Sequence, residues 1–113
     1  MKLKEIHTVK STDKVSNVIE KILINTHRTV FVVKEKKLIG VISEGDILRS
    51  LLEKKSLDAY AETIMNKTFI YLTEENQSKA AIYFKKHLVP IIPIINKKME
   101  IIKFLTLESY LSS

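Results

Sequence analysis

A mixed α/β (α+β) fold made of two similar units, each strand-helix-strand-strand-helix, is what this sequence predicts. Three observations carry it. An apolar hairpin is written twice, a helical apolar stripe precedes each copy, and a second stripe follows each.

The first helical stripe is Val15, Val18, Ile19, Ile22 and Leu23, at the three- and four-residue spacing of one helix face, with Thr12 or Asp13 as its expected cap. The run from Thr29 to Val33 then reads as a strand, Lys34 to Lys37 as a polar turn, and Leu38 to Ile42 as the returning strand. Ile47, Leu48, Leu51 and Leu52 form the next helical stripe, opened by Ser43 and Asp46. Farther on, Ala80, Ala81, Phe84 and Leu88 repeat the first stripe, with Asn76 near the cap. Ile91 to Ile95, the turn Asn96 to Lys98, and Ile101 to Leu105 repeat the hairpin. Leu107, Tyr110 and Leu111 begin the last helix. Ser43 answers to Thr106, a period of about 63 residues.

The expected repeats are residues 1–56 and 57–113, with one helical turn at Ala61 to Met65 between the main elements. A single unit has a short sheet with an uncovered apolar face, so the two are expected to stack with pseudo-two-fold symmetry.

Composition excludes several classes. The chain has 113 residues, 45% of them apolar and 28% charged, an ordinary globular mixture. It has no cysteine, which removes disulfides and thiolate metal sites. The longest apolar run, Val89 to Ile95, is interrupted by two prolines and is far too short to cross a bilayer, so no membrane association is expected. The first ten residues carry lysines with no apolar stretch behind them, which argues against a secretory signal and for a cytoplasmic protein. The net charge of +6 comes from lysines that are scattered and alternate with glutamates, as in Lys34-Glu35-Lys36-Lys37. That pattern describes a solvated surface better than a nucleic-acid face. His7, His27 and His87 are far apart in sequence, so no metal site is expected. No phosphate-cradling glycine loop, nucleophile elbow or acid–base pair is present, so no catalytic residue is assigned.

The stretch Leu38-Ile-Gly-Val-Ile-Ser-Glu-Gly-Asp-Ile-Leu48 resembles the signature of CBS domains. That signature is an apolar strand, a glycine, two apolar residues, serine or threonine, two variable residues, an aspartate, then a helix. Ile64-Met-Asn-Lys67 is similar to the short turn that commonly opens a second CBS repeat. The likeness runs from about Ile6 to Leu111. It implies a tandem pair, a regulatory module that binds an adenine nucleotide of the AMP or ATP type and catalyses nothing. The expected ligand-binding residues are Gly40, Val41, Ile42, Ser43 and Asp46. The family implies a phosphate or ribose contact for Ser43 and a ribose contact for Asp46.

The residues support those roles in their own right. Ser43 stands where strand gives way to helix, near free backbone N–H groups that suit an anion. Asp46 only accepts hydrogen bonds, which suits a pair of ribose hydroxyls. Gly40 removes a side chain where a ligand or a neighbouring strand comes close, and Val41 and Ile42 offer an apolar wall to a purine. The plainer reading makes Ser43 a helix cap and Asp46 its dipole partner. In the second repeat Lys103 replaces the glycine and Ser109 the aspartate, while Thr106 keeps the hydroxyl, so that cleft is expected to be empty or altered. Pro93 is matched to Val30.

The stretch from Ser43 to Arg49 most resembles CBS pairs joined to sugar-nucleotide pyrophosphorylases, which implies control of a linked or partner nucleotidyltransferase. The chain ends soon after its last helix begins, which suggests a piece of a longer protein, with a standalone module as the other reading. The rival from another class is a structural module that only dimerises its host. Leu48, Leu51 and Leu52, or Tyr110 and Leu111, are the apolar faces that would form a homodimer.

Overall fold

The computed structural model describes residues 3–112. Tight contacts divide the chain into a unit that ends at Phe69 and a unit that begins at Ile70.

Unit one opens with a short helix that the sequence pattern did not announce, α1 (Leu3–His7), followed by β1 (Thr8–Lys10). Helix α2 (Val15–Ile24) comes next and buries Val15, Val18 and Ile22, while Leu23 faces water. Its N-cap is Lys14, not Thr12 or Asp13. The Asp13 carboxylate instead accepts from the Lys10 N–H at 2.8 Å and closes the turn before the helix. Asn17 Oδ1 takes over at the cap, accepting from the Lys14 N–H at 3.1 Å.

Strands β2 (Thr29–Lys34) and β3 (Lys37–Ser43) form the first hairpin, antiparallel, and β1 lies parallel on the free side of β2. Val30, Phe31 and Val32 of β2 are all buried, the mark of a central strand covered on both faces. Glu35 and Lys36 join the strands with φ of 51° and 70°, the left-handed pair that a two-residue hairpin turn requires. Helix α3 (Glu44–Leu52) follows directly, burying Ile47 and Ser50 and leaving Leu48, Leu51 and Leu52 outside.

The segment after α3 runs back over unit one. The Val15 N–H donates to the Ala59 carbonyl at 2.9 Å, and the Ala61 N–H donates to the Asp13 carbonyl at 2.7 Å. The expected helical turn is a 3-10 turn over Ala61–Thr63. Residues 57–69 therefore lie with unit one in space, although the repeat pattern groups them with the second copy.

Unit two contains α4 (Gln77–His87), the hairpin β4 (Ile91–Ile95) and β5 (Ile101–Thr106), and α5 (Leu107–Ser112). Asn76 caps α4 as the sequence predicts, its side chain accepting from the Lys79 N–H at 3.0 Å. Every residue of β4 is buried. Leu72 makes an isolated parallel bridge to Ile94 on the side that β1 occupies in unit one. Pro93 is tolerated in this strand because only its carbonyl is used there, accepting from the Leu72 N–H at 3.0 Å.

Candidate functional site

The site begins with a bulge. In the first hairpin Val32 pairs with Gly40 but Val33 pairs with Leu38, so Ile39 is the extra residue. Gly40 follows it, and the chain then alternates normally into Ser43. A Cβ added to Gly40 would meet Met65 Sδ at 2.4 Å and Met65 Cγ at 2.7 Å. The open backbone at Gly40 is thus filled by a side chain of the same unit. Beside it, Val41 and Asn66 exchange backbone hydrogen bonds of 3.0 and 2.8 Å. The Ile64–Lys67 turn therefore lies along the outer edge of β3.

Alternation then separates Val41 from Ile42. Val41 is half-buried, whereas Ile42 is fully buried among Val9, Val18, Val30 and Ile47. The Ile42 side chain belongs to the core and presents no wall to a ligand, which corrects that part of the expectation.

Ser43 and Asp46 are brought together, in contact with each other. Ser43 is extended, with φ −100° and ψ 169°, and its Oγ accepts from the Asp46 N–H at 3.3 Å. In return Asp46 Oδ2 accepts from the Ser43 N–H at 2.9 Å and from the Ser43 hydroxyl at 3.0 Å. This is a capping box, and it makes both residues structural whatever else they do. The other carboxylate oxygen, Oδ1, accepts from the Arg49 guanidinium at 2.8 Å. Asp46 is 14% exposed at its side chain, so it can still be reached.

A second arginine stands on the other side of this helix start. Arg28 has φ 52°, and its carbonyl accepts the first N–H of α3, from Glu44, at 3.0 Å. Its guanidinium lies 3.8 Å from the Glu44 carboxylate. The turn that delivers Arg28 is built on Asn25, which is buried. Asn25 Nδ2 donates to the carbonyls of Ile6, Lys21 and Thr29, and its Oδ1 accepts from the His27 N–H at 3.1 Å.

Unit two repeats the scaffold and changes the chemistry. Its hairpin has the same bulge, at Ile102, and Ile94 pairs with Lys103 as Val32 pairs with Gly40. The Leu107 N–H donates to the Pro90 carbonyl at 2.9 Å, the counterpart of the Glu44–Arg28 bond. Thr106 Oγ1 accepts from the Ser109 N–H at 3.2 Å, the half of the cap that survives without a carboxylate. Lys103 forms an ion pair with Glu75 at 2.9 Å. Beside it lies a hollow of about 130 Å³ whose lining includes Lys103, Thr106, Ser109 and Tyr110. Register also corrects the match of Pro93. It pairs with Phe104 as Phe31 pairs with Val41, so its counterpart is Phe31, not Val30. The longer turn of the second hairpin shifts the count by one.

Comparison with known proteins adds to this geometry. Residues 3–53 match the family model for the CBS domain. The solved structure of a CBS domain protein from Pyrobaculum aerophilum complexed with AMP is similar, with 22% identity and a TM-score of 0.74. It covers 96% of this chain and 88% of that one. The CBS domains of a transcriptional regulator from Streptococcus pneumoniae match with 13% identity and a TM-score of 0.79. Here the coverage is 95% of this chain and 87% of the other. The fold is that of a CBS domain pair. The cytosolic domain of the magnesium channel MgtE in complex with ATP is also similar, at 19% identity and a TM-score of 0.76. It covers 94% of this chain, which spans only 44% of it. No curated protein sequence matches the chain.

The chain also holds groups that sequence distance concealed. His7 and His27, 20 positions apart, meet in the interior, with His7 Nε2 and His27 Nδ1 2.8 Å apart. His7 Nδ1 donates to the Leu3 carbonyl at 2.8 Å. Among the described residues no group of three or more His, Cys, Asp or Glu could hold a metal ion. No helix there is long and apolar enough to cross a membrane. The two arginines at α3 were legible as residue types, but only the fold shows that they meet one helix start.

Proposed function

We propose that this chain is a regulatory module in which residues 1–56 and 57–113 are the two repeats, and the first binds an adenine nucleotide. The carrying observation is the Ser43–Asp46 pair, in contact at the start of α3, with the carboxylate still accessible. Similar folds supply the ligand class, since one is solved with AMP and another with ATP. Ser43 and Asp46 are the polar contacts, Gly40 and Val41 the adjoining edge. Ile42 supports them from the core.

Unit two is the weaker candidate. Its hollow of about 130 Å³ is small beside the roughly 300–1,000 Å³ of small-molecule sites, and it lacks the carboxylate. One nucleotide per chain is the stoichiometry expected by calorimetry. The controlled activity is proposed to be a nucleotidyltransferase, linked or separate, in the cytoplasm.

Thermal melts of wild type and Asp46→Ala, with and without AMP, test the assignment. The variant should lose about 1 kcal/mol of stability with its cap. It should also bind AMP about tenfold more weakly, because a charge-assisted acceptor is gone. An AMP-induced rise in melting temperature that is undiminished in Asp46→Ala would end the ribose role.

The second reading, a module that only dimerises, has its own observation. A groove of about 470 Å³ between α4 and α5 is lined by Ile82, Phe84, Leu107, Tyr110 and Leu111, and Leu48, Leu51 and Leu52 stand exposed on α3. A homodimer that forms without nucleotide, in a protein that AMP does not stabilise, would favour it.

A further inference from the structure

We propose that the His7–His27 pair is an acid-sensitive latch, which fastens α1 and β1 to the rest of unit one and opens when the rings take up more protons than their contact can hold. The latch does not depend on which ligand the module takes.

Position makes the pair a fastening. His7 is the last residue of α1, and β1 begins at the next residue. His27 lies past the end of α2, in the turn that leads into β2. Helix α1 has five residues, too few to be stable alone, so ties to its neighbours hold it. Besides the ring contact, Asn25 Nδ2 donates to the Ile6 carbonyl, and the Lys21 ammonium donates to the carbonyls of Glu5 and Thr8. Of these side chains only the histidines change charge near neutral pH.

Unit two shows that packing alone does not call for histidine here. Leu72 bridges Ile94 as Val9 pairs with Val32, so Ile70 stands where His7 does. Leu107 bonds the Pro90 carbonyl as Glu44 bonds that of Arg28, so Val89 stands where His27 does. Ile70 and Val89 both pack on the core of unit two. The same corner is thus apolar in one unit and titratable in the other.

Geometry sets how many protons the latch holds. His7 is fully buried and His27 is 8% exposed. Their facing nitrogens, His7 Nε2 and His27 Nδ1, are 2.8 Å apart, with room for one hydrogen between them. His7 Nδ1 already donates to the Leu3 carbonyl. The joined pair therefore carries at most three ring protons: on His7 Nδ1, between the rings, and on His27 Nε2. Two fully charged histidines carry four. The fourth proton sets two N–H groups and two like charges face to face in the interior, and the contact opens.

The charged residues on the elements packed around the pair are Lys4 and Glu5 on α1, Glu20 and Lys21 on α2, Lys34 on β2, and Arg28 beside His27. Glu5 and Glu20 are exposed, where solvent screens them. Lys21 is tied to the carbonyls of Glu5 and Thr8, on either side of His7, and its charge opposes the fourth proton.

The direction of the effect follows from the count. In an unfolded chain both histidines become charged as pH falls through about 6.5. Below that pH the released rings bind one proton more than the joined rings, so acid favours release. One proton amounts to about a tenfold change in the equilibrium for each pH unit. Because β1 lies along the free side of β2 and Val9 belongs to the core, release uncovers the β2 edge.

Denaturation of the full chain at pH 7.5 and pH 5.0 tests the latch, on wild type, His27→Gln, and the double variant His7→Ile/His27→Val that copies unit two. Between these pH values the unfolding equilibrium constant of wild type should rise at least about tenfold more than that of either variant. Hydrogen exchange supplies the local readout. Corrected for intrinsic rates, protection of the β1 amides in wild type should fall at pH 5.0 further than that of β4 and β5. Should the double variant not fold, His27→Gln carries the comparison, since glutamine keeps a hydrogen bond to His7 without titrating. The same pH dependence in wild type and His27→Gln would overturn the latch. So would β1 amides whose protection at pH 5.0 falls no further than that of β4 and β5.

Discussion

Unit one and unit two close the same structural problem, the passage from helix to hairpin, by opposite means. After α2 the chain meets Asn25, which is extended and buried, and whose side chain bonds five backbone groups of α1, α2, the turn that follows and the head of β2. After α4 it meets Leu88, in the left-handed conformation with φ 54° and 85% exposed to water. One end is over-determined by hydrogen bonds, while the other tolerates a residue with the wrong shape for its backbone. The proposed site lies beside the over-determined end. A rigid turn holds Arg28 at the start of α3, and unit two, with no carboxylate to serve, has no comparable turn to maintain.

Replacing Asn25 should give the largest effect. Asn25→Ala leaves buried carbonyls and N–H groups without partners, each costly in the interior, and should lower stability by about 3 kcal/mol in chemical denaturation. A loss below about 1 kcal/mol would mean that the turn does not depend on this side chain.

The glycine position separates the units next. Gly40→Ala drives a methyl into Met65 and should cost about 1–3 kcal/mol, as overpacking does. The cost should shrink when Met65 is itself alanine. Lys103→Ala, at the matching register in unit two, removes only an exposed ion pair with Glu75 and should change stability by about 0.5 kcal/mol or less. Equal costs at both positions would erase the distinction.

The smallest change should have the opposite sign. Leu88→Gly relieves a left-handed leucine that buries nothing and should stabilise the chain by about 0.5–1 kcal/mol, raising its melting temperature. A fall in stability would show that Leu88 is held by packing after all.

Much of the fold was legible in the residues. Val15, Val18 and Ile22 form a buried stripe as their spacing predicts, both hairpins pair as read, and Asn76 caps its helix. Misreadings arose where neighbours in space are distant in sequence, or where one residue of offset mattered. Asp13 serves a turn instead of the helix it precedes. Pro93 was counted one place out because the second turn is longer than the Glu35–Lys36 turn. Ile42, placed beside a ligand by its motif, is carried inward by strand alternation.

What the sequence alone determined about this protein is what short-range interactions encode. Apolar residues at helical or alternating spacing, a hydroxyl three residues before a carboxylate, and a polar turn between two strands all act within a few positions. They specified two repeated units and the Ser43–Asp46 pair. Tertiary structure decided which side chain fills the gap at Gly40, that His7 meets His27, and that Arg28 and Arg49 converge on one helix start. The contacts of Gly40 with Met65 and of His7 with His27 join segments 20 or more positions apart. No local periodicity records them, because they exist only once the strands have paired and the helices have packed against them.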